Sequence, residues 1–443
     1  MTIEIIGNTE ELAALCARLS DAPFVTVDTE FMRETTFWPK LCLIQIASED
    51  EAAIIDPRAE GISLEPLFTL LDDPTVIKVF HAARQDIEIF HHLSGRVPQP
   101  IFDTQVAAMV CGFGDSVAYD QIVMRVTGHT VDKSSRFTNW AERPLTDAQL
   151  TYALADVTHL RDVYKHLRDT LDERERADWV TEEMAVLASP ATYDIKPEDA
   201  WRRLKSRARQ PVELATLQEI AALREREARE RDVPRSRVMK DDLIYEIALQ
   251  RPATSAALAK LRAVPKGFER SRIGQAIVAA VTEVAARPAD ALPSLPKRKP
   301  SIEGANSAVE LMKVLLKLCA EAHGVAPKVL ATVDDLEAIV SGADAPALSG
   351  WRRTVFGEAA LQLKGGEIAI AFDGRGLRTI DCERPVNPVP AAGGSGRSRR
   401  RKRKPRSAEA NGATDTAGTD EGAPAAETPA QDAAPDSSEA ASE

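Results

Sequence analysis

Asp28 and Glu30 stand two positions apart in VTVDTEF, an otherwise β-prone and apolar run. Successive side chains of a strand alternate between faces, so both carboxylates project to the same side. A strand carrying two acids on one face cannot bury that face in an ordinary core, because unpaired buried carboxylates are costly. The fold must therefore open a cavity against this strand. Two more acids stand in contexts that suit the same cavity: Asp86 in FHAARQD, and Asp156 at the end of YALAD, four residues after Tyr152. Residues i and i+4 share a helix face, so Tyr152 and Asp156 point together. Carboxylates gathered in this way repel one another and persist most readily around cations.

Oxygen donors without a thiolate favour a hard divalent ion, Mg²⁺ or Mn²⁺. The matching substrate is a phosphodiester. Its hydrolysis brings an anionic nucleophile to an anionic phosphate, and two divalent ions about 3.5 to 4 Å apart relieve that repulsion on the attacking and departing sides. Asp28, fixed on a core strand, is expected to bridge both ions. Glu30 and Asp156 complete the attacking side and Asp86 the leaving side. Tyr152, with a free phenol that titrates near about 10, stays protonated and is suited to orient the attacking water.

A chain of 443 residues exceeds one ordinary core, and two or three domains are expected. Its net charge of -12 is strongly segregated. Residues 1–195 carry a net of -17, residues 196–280 a net of +7 and residues 281–384 a net of -1. Eight basic and no acidic groups follow in 385–407, then nine acidic and no basic groups in 408–443. The overall acidity thus leaves room for a nucleic-acid partner, since attraction depends on where positive charge is placed. Five cysteines, Cys16, Cys42, Cys111, Cys319 and Cys382, form no CxxC pair, which argues against a disulfide scaffold or zinc-thiolate site and fits a reducing compartment. The first residues lack a basic region followed by an apolar core, and no run of 18 uncharged apolar residues occurs. The expectation is a cytoplasmic protein without a membrane partner.

The first third alternates strand-like runs at 24–27, 41–47, 52–55 and 76–80 with helical spacing at 10–19, 64–70 and 83–93, which predicts a mixed α/β sheet covered by helices. Another helix opens at Asp103-Thr104, residues 112–144 read as loop-rich, and a long helix follows, with Thr146 and Gln149 as a capping box. After a linker near 188–199 come helices broken around Pro211 and Pro234, then a second linker rich in Pro and Lys. A third helical piece closes on a short strand candidate, EIAIAF. From Pro385 onward the composition cannot build a core and predicts disorder.

These motifs together resemble the ribonuclease D family, within the DEDD superfamily of 3′-5′ exonucleases on a ribonuclease H-like fold. The family's Asp-x-Glu motif corresponds to Asp28-Thr29-Glu30, its second motif to Asp86 in HAARQDIEIF, and the tyrosine form of its third to Tyr152-x3-Asp156. Phe102-Asp103-Thr104 and the segment from Asp132-Lys133-Ser134 through Trp140 to Arg143-Pro144-Leu145 also match. His159 follows Asp156 instead of preceding it, so it reads as a surface or outer histidine.

The resemblance implies an exonuclease domain at 1–190, a linker at 191–209, an all-helical HRDC domain at 210–289, a linker at 290–305, a second HRDC-like domain at 306–384 and a disordered tail at 385–443. It further implies a metal-dependent 3′-5′ exoribonuclease that uses two Mg²⁺ or Mn²⁺ ions, releases 5′-mononucleotides and matures the 3′ ends of precursor tRNA.

Phe31 and Met32 are expected to wedge apart the terminal bases, and Lys133 and Arg136 to touch the backbone near the scissile end. Arg143 is expected to contact that backbone or brace its loop beside Asp86 or Asp103. Basic groups at 202–209 and 235–240 are candidate remote RNA contacts, and the helical half is expected to be separable from the chemistry. A DNA exonuclease and an inactive RNA-binding protein on the same fold are the alternatives, and the oligomeric state is left open.

Overall fold

The apolar runs of the first third assemble into one sheet in a computed structural model that describes residues 5–205, 208–295 and 304–382. The tail expected at 385–443 and half of the linker expected at 290–305 lie outside the described residues. In chain order the first part comprises β1 (Ile5–Ile6), α1 (Thr9–Leu19), β2 (Phe24–Met32), β3 (Lys40–Ala47), β4 (Ala52–Ile55), α2 (Glu65–Leu71), β5 (Ile77–Phe80) and α3 (Arg84–Ser94). It continues with β6 (Ile101–Asp103), α4 (Thr104–Val110), α5 (Tyr119–Thr127), α6 (Asp147–Glu173) and α7 (Ala177–Leu187). The strand order is β1-β4-β3-β2-β5-β6. Strands β2, β3 and β4 form an antiparallel meander, whereas β5 and β6 run parallel to β2. The expected mixed sheet is therefore present, with the acidic strand β2 near its centre.

Helix α6 carries Leu150, Ala153, Val157, Leu160, Tyr164, Leu167 and Leu171 as a buried stripe at three- and four-residue spacing. It crosses β2, β3 and β4 and covers that face of the sheet. Its start is the expected capping box, with the Gln149 amide donating to Thr146 Oγ1 at 3.3 Å and the Thr146 amide donating to Gln149 Oε1 at 3.0 Å.

Several elements depart from the sequence reading, and β1 and α7 fall where it assigned none. A short strand, β6, precedes α4 where only a helix start was expected, because three residues are too few to display a period of two. Helix α5 lies inside the stretch read as loop. Only Ile122 and Val123 are buried on it, too few to mark a helical face between flanking glycines.

The first helical module contains α8 (Pro211–Glu230), α9 (Arg235–Val238), α10 (Asp241–Gln250), α11 (Ser255–Leu258) and α12 (Arg272–Ala286). Its core gathers Leu214, Leu217, Ile220, Ile244, Ile247, Ile273 and Ile277, and it also takes in Phe37 from the connection between β2 and β3. Phe37 is 5% exposed. Asp232 Oδ1 accepts from the amides of Phe37 and Trp38 at 3.0 and 3.1 Å. The Arg235 guanidinium lies 4.4 Å from the Phe37 ring centroid and donates to the buried Glu225 carboxylate at 2.5 and 2.7 Å. The Phe37 ring is thus both an apolar plug and a cation-π partner.

The last part holds α13 (Ala305–His323), α14 (Pro327–Leu330), α15 (Val333–Ser341), α16 (Gly350–Arg352), a π-helical turn (Arg353–Gly357), α17 (Glu358–Gly365) and a hairpin of β7 (Ile368–Phe372) and β8 (Leu377–Asp381). The expected strand EIAIAF is β7, and its partner β8 was not foreseen.

These helices build no core of their own. Val309, Met312, Leu315, Leu330, Ile339 and Phe356 belong to the same apolar cluster as the sheet and its helices. Trp351 stacks on Trp179 at 4.4 Å and 5°, and Arg352 Nη1 pairs with Glu182 at 2.6 Å. Gly112, at φ +87, lets the end of α13 approach so closely that a Cβ there would lie 2.7 Å from the Gly324 carbonyl oxygen. The last helical part is therefore not separable from the nuclease fold, since removing it would strip a shared core, whereas the first helical module has a core of its own that Phe37 enters.

Phe37→Ala tests the first of these junctions. Truncating a buried phenylalanine costs about 3 to 5 kcal/mol. The expected outcome is a loss of that size in urea denaturation, with earlier proteolytic cleavage in the first helical module than in the sheet.

Candidate active site

The bottom of a cavity of about 480 Å³ is formed by Asp28, Glu30, Asp86, Tyr152 and Asp156. Oxygen atoms of Asp28, Glu30 and Asp156 lie within 4.8 Å of one another, while Asp86 lines the same cavity outside that tight trio. Each acid is held by a different part of the backbone. Asp28 and Glu30 ride on β2, hydrogen-bonded along one edge to β3, with the register slipping between Glu30 and Phe31. Thr26, fully buried two residues earlier, places its hydroxyl 2.8 Å from the Val157 carbonyl and 3.2 Å from that of Ala47. That bond ties β2 to the turn of α6 that carries Asp156.

Asp86 stands in the first turn of α3, and the Asp103 carboxylate builds the entry to that helix. Asp103 accepts from the amides of Ala82 and Ala83, both at 2.9 Å, and from Gln105 at 2.8 Å. Ala82 adopts φ +61, an unfavourable conformation for alanine that this clamp sustains. Thr29, next to the acidic pair, donates its hydroxyl to Asp86. Arg33 and Glu88 then join the exit of β2 to α3 through two bonds of 2.8 and 3.0 Å.

Burial pushes all four carboxyls above the usual carboxylate range. The Asp156 charge adds to the effect at Asp28, and the Asp28 charge does so at both Glu30 and Asp86. Asp156 reaches only about 7, because a hydrogen bond from the Tyr152 hydroxyl and the nearby Arg136 charge oppose its desolvation. Burial and the same acids hold the Tyr152 phenol protonated. Its ring leans on Trp140, which is buried 6.0 Å away centroid to centroid. An all-carboxylate donor set whose anionic forms are destabilised without a counter-ion fits a hard divalent cation. His81 also lines the cavity, but its ring nitrogens are engaged by Thr104 Oγ1 and the Val117 carbonyl.

The other candidates divide. Phe31, Lys133 and Arg136 line the cavity. Met32 does not; it packs with Cys42, Leu43, Ile54 and Trp140, because the register slip between Glu30 and Phe31 reverses the alternation that would otherwise put it on the face of Asp28 and Glu30. Lys133 pairs with Asp120 at 2.8 Å. Arg143 braces neither Asp86 nor Asp103. It forms a fork on Asp56 at 2.6 and 2.8 Å and donates to the Cys42 carbonyl, locking the loop before α6 to the far end of the meander. His159 stacks on His129 outside the cavity lining. Tyr119 and Phe137 line the cavity and were not singled out, because α5 and the turn near Phe137 have no periodicity to expose them.

Comparison with known proteins agrees with this geometry. Residues 3–172 match the 3′-5′ exonuclease domain family and residues 213–281 the HRDC domain. Ribonuclease D of Nitrobacter hamburgensis is 57% identical over 379 residues, covering 85% of this chain and 99% of that protein. The chain belongs to the ribonuclease D family. Ribonuclease D of Bartonella henselae is 47% identical, covering 85% and 94% of the two chains. The crystal structure of Escherichia coli RNase D, an exoribonuclease involved in structured RNA processing, superposes with a TM-score of 0.74 at 30% identity and covers 82% and 99%. The activity is accordingly a 3′-5′ exoribonuclease of the ribonuclease D type, carried on an α/β exonuclease domain followed by an HRDC domain. Among the described residues no helix is long and apolar enough to cross a membrane.

The raised carboxyls make cation binding visible in stability. A carboxyl with a raised folded-state pKa adds stability that is fully present below about pH 4, its unfolded value, and is lost as pH climbs through its folded pKa, about 7 for Asp156. In chelator, the melting temperature of the wild type relative to Asp156→Asn should fall between about pH 5 and 8. Saturating Mg²⁺, which binds the ionised cluster, should reverse that slope in the wild type only.

Proposed function

We propose that this ribonuclease D removes nucleotides singly from the 3′ ends of precursor tRNA and related structured RNA, releasing 5′-mononucleotides with two Mg²⁺ or Mn²⁺ ions. The observation that carries the reading is the convergence of Asp28, Glu30 and Asp156 within 4.8 Å, with Asp86 and Tyr152 on the same cavity floor. Bound divalent ions there supply the positive charge that lets a nucleophile approach a phosphodiester and a 3′ oxygen depart. Asp28, Glu30, Asp156 and Asp86 would hold these ions, with Asp28 shared, Glu30 and Asp156 serving the attacking side and Asp86 the leaving side.

Tyr152, protonated and braced by Trp140, accepts a hydrogen bond from the attacking water while donating to Asp156, and so aims a water lone pair at phosphorus. The new P–O bond forms as the bond to the 3′ oxygen of the penultimate nucleotide breaks, the water gives up a proton to solvent and the departing 3′ oxygen takes one up, which leaves the phosphate on the released nucleotide. Phe31, beside Glu30, takes the terminal base, and Arg136 and Lys133 face its backbone; Lys133 exchanges its Asp120 partner for phosphate.

The domain bounds expected from the sequence remain our reading, with the second HRDC-like segment at 306–384 packed into the core of the exonuclease part instead of forming one of its own. Exposed Lys205, Arg209, Arg237 and Lys240 are proposed to carry remote RNA contacts. Arg202 and Arg235 are less suited, because they pair with Asp199 and Glu225. Free thiols at all five cysteines support a cytoplasmic setting.

A 3′-extended precursor tRNA labelled at its 5′ end tests polarity and metal dependence together. The expected outcome is a ladder shortening one nucleotide at a time only with Mg²⁺ or Mn²⁺, and internal cuts or 3′-monophosphate products would reject the reading. Alanine at Asp28, Glu30, Asp86 or Asp156 should lower kcat by at least about a thousandfold, since each removes a charge ligand from the reacting site. Tyr152→Phe should cost about 10²- to 10³-fold with RNA affinity nearly unchanged.

A further inference from the structure

Phe137 is 90% exposed, the highest value among the exposed large hydrophobic side chains of the described residues, and it joins none of the apolar clusters. A lone exposed apolar side chain is ordinary and means little by itself. Three further observations distinguish this one. Its ring lines the cavity that holds Asp28, Glu30 and Asp156. The Arg136 guanidinium lies 5.2 Å from its centroid, and the same positive charge acts on Glu30 and Asp156. The turn that presents the ring is braced on both sides: Lys133 pairs with Asp120 at 2.8 Å, and Thr138 Oγ1 donates to the Ser135 carbonyl at 2.8 Å while accepting from Gln149 Nε2 at 3.0 Å.

An aromatic ring backed by arginine and open to solvent at the mouth of a phosphodiester site suits one occupant, an unpaired base. Stacking on such a ring accepts any base, and the cation beside it meets the adjoining phosphate. The position along the strand follows from the cavity. The reacting phosphate lies at the carboxylates, the terminal nucleotide goes inward beside Phe31, and the rest of the strand leaves through the mouth.

We propose that Phe137 stacks on the base immediately 5′ of the scissile phosphate, the penultimate base of the RNA. The inference rests on the exoribonuclease reading of this cavity. It makes the enzyme require two unpaired nucleotides at the 3′ end, with little preference for their sequence.

The test compares the full-length wild type with Phe137→Ala, Phe137→Leu and Phe137→Tyr in removal of the first nucleotide from single-stranded RNA. Three substrates are used: one unmodified, one abasic at the terminal residue and one abasic at the penultimate residue. On unmodified RNA, the Ala and Leu variants should raise KM about tenfold, as expected for loss of one base stack, with kcat nearly unchanged. Phe137→Tyr should stay within about twofold, since it keeps the ring. On penultimate-abasic RNA the wild type should already show the raised KM, and Phe137→Ala should add less than about twofold, the signature of coupled partners in a double-mutant cycle. On terminal-abasic RNA the alanine penalty should persist in full.

An equal penalty on all three substrates, a coupling that moves to the terminal base, or no penalty while the wild type degrades RNA normally would overturn the role of Phe137 alone. A wild type inert on every RNA would overturn the reading of the cavity with it.

Discussion

Mutual repulsion among buried carboxylates is the constraint around which this molecule is organised. At the separations found, each pair of ionised groups opposes folding by about 3 to 4 kcal/mol at an effective dielectric constant near 20. Three such pairs within the trio of Asp28, Glu30 and Asp156 rival the total stability of an ordinary domain, about 5 to 15 kcal/mol. The cluster therefore exists in one of two conditions, proton-bearing or cation-bearing, and the scaffold must hold it still in both. It does so with the ladder of β2 and β3, the Thr26 hydroxyl on the Val157 carbonyl, and the backbone amides of Ala82 and Ala83 on Asp103. Asp103 is an acid of the same neighbourhood used in the opposite sense, since its charge is satisfied by amide donors and it is free to act as a structural brace.

The positive charge of the first helical module is divided between two uses. Arg224 pairs with Asp241, Arg235 and Arg229 with Glu225, Arg272 with Glu227 and Arg287 with Glu219. Glu225 and Glu227 are buried, so part of this positive charge is tied down by ion pairs within the module and is not offered as a diffuse cationic surface. A net of +7 in this region overstates what is offered to a phosphate backbone. Among the described residues, unpaired positive charge on the surface is left to exposed side chains such as Lys205 and Lys240, while Arg136 and Lys133 line the cavity of the exonuclease part.

What could be read in advance follows from the range of the interactions. Strand alternation, helix spacing and the Thr146 capping box are local, and each appears where the sequence places it. Four residues of the cavity were legible because strand and helix periodicity alone puts Asp28 with Glu30 and Tyr152 with Asp156. Asp86 depended on family resemblance, since nothing within α3 reveals that Asp103 turns that helix toward the cluster. Long-range partners were not legible. Arg143 finds Asp56 across 87 positions, and Phe37 enters a core built 180 residues later. Lys78, a charged residue inside β5, is fully buried because its ammonium donates to the Asp73 and Gln99 carbonyls, a solution no local pattern announces.

The Phe37 junction bears directly on chemistry because of where it lies on the chain. Strand β2 carries Asp28 and Glu30, ends at Met32, and leads through Arg33 into the segment that plugs the helical module. Arg33 grips Glu88 two residues beyond Asp86, so the strand exit is bonded to α3 before the chain reaches Phe37 and Trp38. Trp38 in turn stacks on His92 of α3 at 4.0 Å and 9°, and Asp232 of the helical module holds the amides of both aromatic residues. The helical module, α3 and the end of β2 thus meet in one packed joint, on the side of the cavity where Glu30, Phe31 and Asp86 lie. A rigid joint there limits how far Glu30 and Asp86 can be driven apart by their own repulsion. By anchoring the exit of β2, the helical module helps to keep the acidic cluster at its close spacing.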